Sequence, residues 1–159
     1  MIDYEVFGDY ILEELKKITQ AAEKVIFYYE KAKEIQDEAY WYAGAIHLFN
    51  FYVGCERIFK AVAREIDRYI PTGEDFHRQL LQQMARPNKH RPMLISQEVR
   101  SRLDDYRKFR HLFTNIYAFE LDAKKLQVLI EQLPETQNLL ASQIQEFYHF
   151  LVELNNSIQ

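Results

Sequence analysis

The side chains best suited to chemistry crowd into residues 106–122, Tyr-Arg-Lys-Phe-Arg-His-Leu-Phe-Thr-Asn-Ile-Tyr-Ala-Phe-Glu-Leu-Asp. Arg107 and Arg110 carry guanidinium groups that stay charged and can grip phosphate oxygens two at a time. His111, beside Arg110, is a side-chain type that can take up and return a proton near neutrality. Asn115 has an amide, able to hold a phosphate or a water but not to titrate in the useful range. Tyr117 adds a phenol. On an ideal helix His111 lies about 100° round from Arg110 and Asn115 about 140° away, while Tyr117 falls about 20° from the arginine stripe.

Other chemistry-bearing patterns are weaker. Glu74-x-x-His77 and Glu146-x-x-His149 have the spacing of ligands in di-iron helical bundles. Glu74, however, follows a Pro-Thr-Gly turn, and Glu146 and His149 face away from an apolar stripe, so no metal site is expected. Cys55 sits on a core stripe, where a lone thiol is inert. The cluster Tyr40-Trp41-Tyr42 could stack bases, but near a helix end it reads as packing or a dimer contact.

These residues need helices to carry them. The chain has 159 residues, 48% of them apolar, enough for one domain with a full core, here taken as residues 1–159. Four Gly and four Pro leave little turn chemistry for a sheet protein, so the fold class expected is an all-α antiparallel bundle of about five to six helices. Ile11, Leu15, Ile18, Ala22, Val25, Tyr29 and Ala32 alternate spacings of four and three on a first long helix. Leu48, Tyr52, Cys55, Phe59, Val62, Ile66 and Tyr69 do so on a second, capped by Asp37 and ended by Pro71-Thr72-Gly73. A short helix over 74–84 leads into an exposed loop, Arg86-Pro-Asn-Lys-His-Arg-Pro92. Ser96 caps the next helix, expected to run to about Phe119. Asp122 caps another short one, and Pro134 opens a last helix with Leu140, Ile144, Phe147, Leu151, Leu154 and Ile158 on its stripe.

Composition also excludes classes of function. One cysteine cannot make an internal disulfide, the N-terminus lacks the features of a signal peptide, and no apolar run approaches a membrane span, so a cytoplasmic protein without a membrane role is expected. A net charge of -4 argues against broad nucleic-acid binding. It is unevenly spread. Residues 86–110 carry eight Lys/Arg against three acids, whereas residues 1–85 carry ten against fifteen and residues 111–159 two against six. A basic strip leading into the motif suits a small phosphate-bearing target better than a long duplex.

Three blocks in order resemble HepT-like proteins of the HEPN superfamily. Phe51-Tyr52-Val53-Gly54-Cys55-Glu56-Arg57-Ile58-Phe59 is similar to the family's second-helix pattern. Pro71-Thr72-Gly73-Glu74-Asp75-Phe76-His77 with Leu80-Leu81 is similar to its proline-glycine turn and aromatic-histidine pair. Phe109-Arg110-His111 through Tyr117 to Asp122 resembles its signature: arginine, polar residue, three positions, histidine, one position, tyrosine. Asn115 stands where that signature has histidine.

The resemblance implies a helical homodimer whose motif helices face across an RNA-binding cleft. It implies the toxin of a toxin-antitoxin pair, a metal-independent endoribonuclease that uses no cofactor, with Arg110, His111 and Asn115 in the catalytic positions and Arg107 and Arg110 on RNA. With Asn115 in the histidine position such activity would be weakened, and His111, then His77, are the substitute bases. It further implies a nucleotidyltransferase antitoxin that adds AMP to Tyr117. The alternative is a non-catalytic HEPN dimer that binds RNA, a nucleotide or a nucleotidyltransferase partner.

Overall fold

Four polar side chains mark where helices begin. Asp3 accepts from the amides of Glu5 and Val6, Asp37 from Ala39, Ser96 from Val99 and Asp122 from Lys124 and Lys125, at 2.9–3.3 Å. Each satisfies donors that the first turn leaves unpaired, worth about 1 kcal/mol. In the computed structural model, which describes residues 2–159, they open α1 (Tyr4–Ile35), α2 (Glu38–Val62), α4 (Gln97–Phe113) and α5 (Ala123–Ser157). The short α3 (Phe76–Met84) lies between α2 and α4 in the chain. Among the described residues the result is an all-α bundle of five α-helices, as the patterning predicts.

The apolar stripes meet along the α1–α2 seam, the most extensive helix pairing in the molecule. Gln36, in a left-handed conformation at φ 60°, returns its amide to Ala32 and reverses the chain, so the two helices run antiparallel. Gly54 permits the close approach: a Cβ there would lie 2.7 Å from the Ile18 side chain. All seven stripe positions of α1 are buried, as are Leu48 to Ile66 on α2, but Tyr69 is 62% exposed. It lies past the break, because α2 leads into a π-helical turn (Ala63–Asp67) that is closed by Arg68, another left-handed residue.

α5 closes the bundle against α1. The Tyr29 hydroxyl donates to Glu131 and the Gln137 amide to Thr19, tying the two helices together. The expected helix start at Pro134 is wrong: α5 continues through it. A proline removes one backbone donor, but Leu133, Thr136, Gln137 and Leu140 around it are all buried, and their packing outweighs the local penalty. From α4, the Tyr106 hydroxyl donates to the Leu129 carbonyl at 2.7 Å.

The loop from Arg86 to Pro92 is exposed at Arg86, Lys89 and His90, but Arg91 turns inward. All five of its guanidinium donors are used: two on the Asp67 carboxylate, and three on the carbonyls of Gln83, Arg86 and Pro92. Burial would push the Asp67 carboxyl up, yet hydrogen bonds from Arg91, Gln83 and Asn88 outweigh it and hold the group below its ordinary range. Such a carboxylate stabilises the fold above its unfolded pKa of about 3.9, and that contribution is lost as pH falls through the lower folded value. Replacing Arg91 by Met strands Asp67 beside an apolar chain and should cost roughly 3–5 kcal/mol, read from urea unfolding at pH 7.

Candidate functional site

Glu56 is the residue from which the site is built. It projects from α2 with its side chain 3% exposed, and a carboxylate so placed needs partners. It has two. His77 Nδ1 lies 2.6 Å from one oxygen and Arg110 Nε 3.0 Å from the other. The arginine contact is an ion pair, since the Nε–H is not aimed at the oxygen. One acid from α2 thereby fixes the first turn of α3 and the last turn of α4. The Arg110 guanidinium also lies 5.9 Å from the centre of the Phe49 ring.

Local sequence explains why these turns arrive there. Gly73 takes φ 96° in the turn after Pro71, a conformation that suits glycine, and α3 begins three residues on with Phe76-His77. Val99, Leu103, Tyr106 and Phe109 are buried along one face of α4, which leaves Arg107, Arg110 and His111 at the edge of that face. These three meet Glu74, Asp75, His77 and Arg78 around a small cleft of about 200 Å³. The cleft has room for a phosphate or a few waters.

The arginines in it are matched by acids. Arg110 faces Glu56, Arg107 faces Asp104 at 2.7 Å and Arg78 pairs with Asp75. Hydrogen bonds from Arg107 and Lys108 outweigh burial and hold the Asp104 carboxyl below its usual range. The basic strip therefore does not survive folding as a uniformly positive face. Arg102 also pairs, with Glu98 and Glu135, and Arg91 is buried on Asp67.

Asn115 and Tyr117 stand apart from the cleft. The motif helix ends at Phe113, short of the expected Phe119, because short polar side chains compete for its terminal carbonyls. The Thr114 hydroxyl and the Asn115 amide both donate to the His111 carbonyl, at 2.8 and 2.7 Å. A short 3₁₀ turn (Ala118–Glu120) follows, with the Glu120 carboxylate accepting from the Tyr117 amide. Tyr117 is thus off the helix on which Arg110 sits. It is 72% exposed and stacks on Phe119, itself 77% exposed, with ring centres 5.5 Å apart.

Sequence reasoning missed Glu56 as a site residue. The signal was a lone acid inside an apolar helix stretch, which must find a cation or a donor. Cys55 is fully buried and burial pushes its thiol up, so it offers no thiolate. Among the described residues no three His, Cys, Asp or Glu side chains converge as metal ligands, and no helix is long and apolar enough to cross a membrane.

The all-α bundle thus brings Arg110 and His111, at the end of α4, beside the His77 that follows the turn at Gly73. Residues 43–151 match the HepT-like protein family, a span that covers α3, α4 and most of α2 and α5, and the chain belongs to that family. No curated protein and no solved structure matches the chain.

Glu56→Ala should cost roughly 1–3 kcal/mol in urea unfolding, because it releases two hydrogen-bonding or ionic partners that water can partly resolvate. Tyr117→Phe, which touches no core, should leave the unfolding midpoint unchanged.

Proposed function

We propose that this protein is the toxin of a toxin-antitoxin pair and acts as an endoribonuclease, with Arg110 as the fixed cation and His77 as the base. The observation that supports it is the double hold of Glu56. A carboxylate on Nδ1 selects the tautomer with the proton there, which leaves the Nε2 lone pair of His77 free to accept. Arg110, held by the same acid, supplies the charge that a phosphorane develops. Nε2 takes the proton of a ribose 2′-hydroxyl; the 2′ oxygen attacks the adjacent phosphorus; the 5′ oxygen leaves and takes a proton from water, and the imidazolium returns its own to solvent. The products are a cyclic phosphate and a 5′-hydroxyl end. No metal is needed for this route.

His111 also lines the cleft, and Arg107 beside it can contact the flanking phosphate. Asn115, in the position of the signature histidine, stands apart from the cleft and moves no proton, so the reaction lacks a second acid-base group and cleavage is slow. Two motif helices facing each other in a homodimer would enlarge the cleft. Exposed Leu112, Tyr117 and Phe119 at the end of α4 give such an interface apolar surface. The accessible Tyr117 hydroxyl is the group a nucleotidyltransferase antitoxin would load with AMP.

The second reading is a HEPN dimer that binds RNA, a nucleotide or a nucleotidyltransferase without cleaving. It is favoured by the acids that face every arginine of the cleft and by the amide at position 115.

Cleavage of labelled RNA separates the two. Wild type should cut slowly, and Arg110→Ala and His77→Ala should each abolish cutting, since acid-base assistance is typically worth about 10²- to 10⁴-fold. Asn115→His should raise the rate. Loss on His111→Ala but not on His77→Ala would assign the base to His111. Absence of cleavage in both wild type and Asn115→His, with Arg110→Ala still weakening RNA binding, would leave the binding module. Light scattering should give about twice the 19.2 kDa chain mass. Co-expression with a neighbouring nucleotidyltransferase should add AMP to wild type and not to Tyr117→Phe.

A further inference from the structure

Next along α3 from the motif cleft a larger cavity of about 580 Å³ opens, within the range of small-ligand sites. Tyr69, Gln79, Gln82, Arg86, Lys89 and His90 line it. Its charge balance differs from that of the motif cleft. Arg86 and Lys89 make no ion pair among the described residues, and the one acid in the lining, Asp67, is already held by Arg91. An anionic ligand therefore meets cations here that need not first leave a carboxylate.

Two further features narrow the ligand. The Tyr69 ring, 62% exposed beside these cations, offers an unused flat apolar face. Gln83 donates to Asp67 and to the Tyr69 carbonyl, but its own side-chain carbonyl is buried without a donor. An aromatic platform, a phosphate-binding pair and amide groups together match a nucleotide, with its base on the ring and its phosphate on Arg86 and Lys89.

The helix between the two cavities selects a strand over a free nucleotide. Arg78 lines the motif cleft and Gln82 lines this one, four positions apart on neighbouring turns of α3. Neighbouring turns place such positions about 6 Å apart, a distance that one or two nucleotides of single strand cover. We propose that Tyr69, Arg86 and Lys89 form a second anchoring site for single-stranded RNA, holding one nucleotide of the strand that enters the motif cleft. This rests on RNA being what the motif cleft takes, and it assigns that RNA to the single-stranded class. The mount is rigid, because the buried Arg91 fixes the backbone that carries Arg86 and Lys89.

Fluorescence anisotropy with a labelled oligo(U) of about twelve nucleotides, at several salt concentrations, tests the site on the full chain without relying on cleavage. Tyr69→Ala should weaken binding about tenfold and Tyr69→Phe should retain it, since stacking needs only the ring. Arg86→Ala combined with Lys89→Ala should lower the slope of log affinity against log salt by about 1.4, the share of two single-strand phosphates. All these side chains are exposed, so unchanged thermal unfolding will accompany each variant. If Arg110→Ala weakens binding while the Tyr69 and Arg86/Lys89 variants bind as wild type, the second site is wrong and the motif reading stands. If these variants weaken binding while Arg110→Ala does not, the second site stands and the motif reading falls. Uridine monophosphate binding as tightly as the oligonucleotide would make this a free-nucleotide site and overturn the strand assignment. No binding by wild type would overturn both readings.

Discussion

A carboxylate removed from water must be matched or it unfolds what surrounds it, and Glu56 imposes that requirement on three helices at once. Its position on α2 is set by the α1–α2 seam, where Gly54 lets the backbones close and Cys55, Ile58 and Phe59 pack fully. Once the acid is fixed there, His77 and Arg110 have to arrive opposite it. The turn at Gly73 delivers the first, and the buried face of α4 delivers the second. An imidazole and a guanidinium from residues 33 positions apart are thereby held against one acid.

The same requirement redistributes charge. In the sequence, residues 86–110 form a basic strip, but folding brings Asp67, Asp104, Glu56 and Glu135 against most of it. Only one of those acids, Asp104, lies within the strip; the other three come from other segments of the chain. Among the described residues Arg86, Lys89 and Arg100 are the cations of the strip left without an acid, and the first two line one cavity. Exposed ion pairs contribute little to stability, but they decide where an anion would be drawn.

Much of the fold was legible because apolar periodicity and caps act locally. The stripe of α1 from Ile11 to Ala32 and the caps at Asp37, Ser96 and Asp122 depend on neighbours three or four residues away, and each stands in the structure as read. The errors arose where distant packing decides. Pro134 looked like a helix start, but burial of Leu133 and Leu140 carries α5 across it. The end of α4 at Phe113 reflects carbonyl capture by Thr114 and Asn115, a local signal outweighed in the reading by the aromatic pattern that follows. Of the site, Arg110 and His111 were legible as types at a spacing. The partnership of Glu56 with His77 was not, because it joins residues on different helices and no periodicity connects them.

Arg91 separates two kinds of information within one loop. Its five donors, turned inward, hold the backbone from Arg86 to Pro92, so the shape of that segment is written in the interior. Arg86, Lys89 and His90, turned outward, contribute nothing to the hold through their side chains. Such a loop can change its outward side chains one at a time with the scaffold intact, and a lineage built on it could retune what its surface recognises without first passing through an unfolded protein.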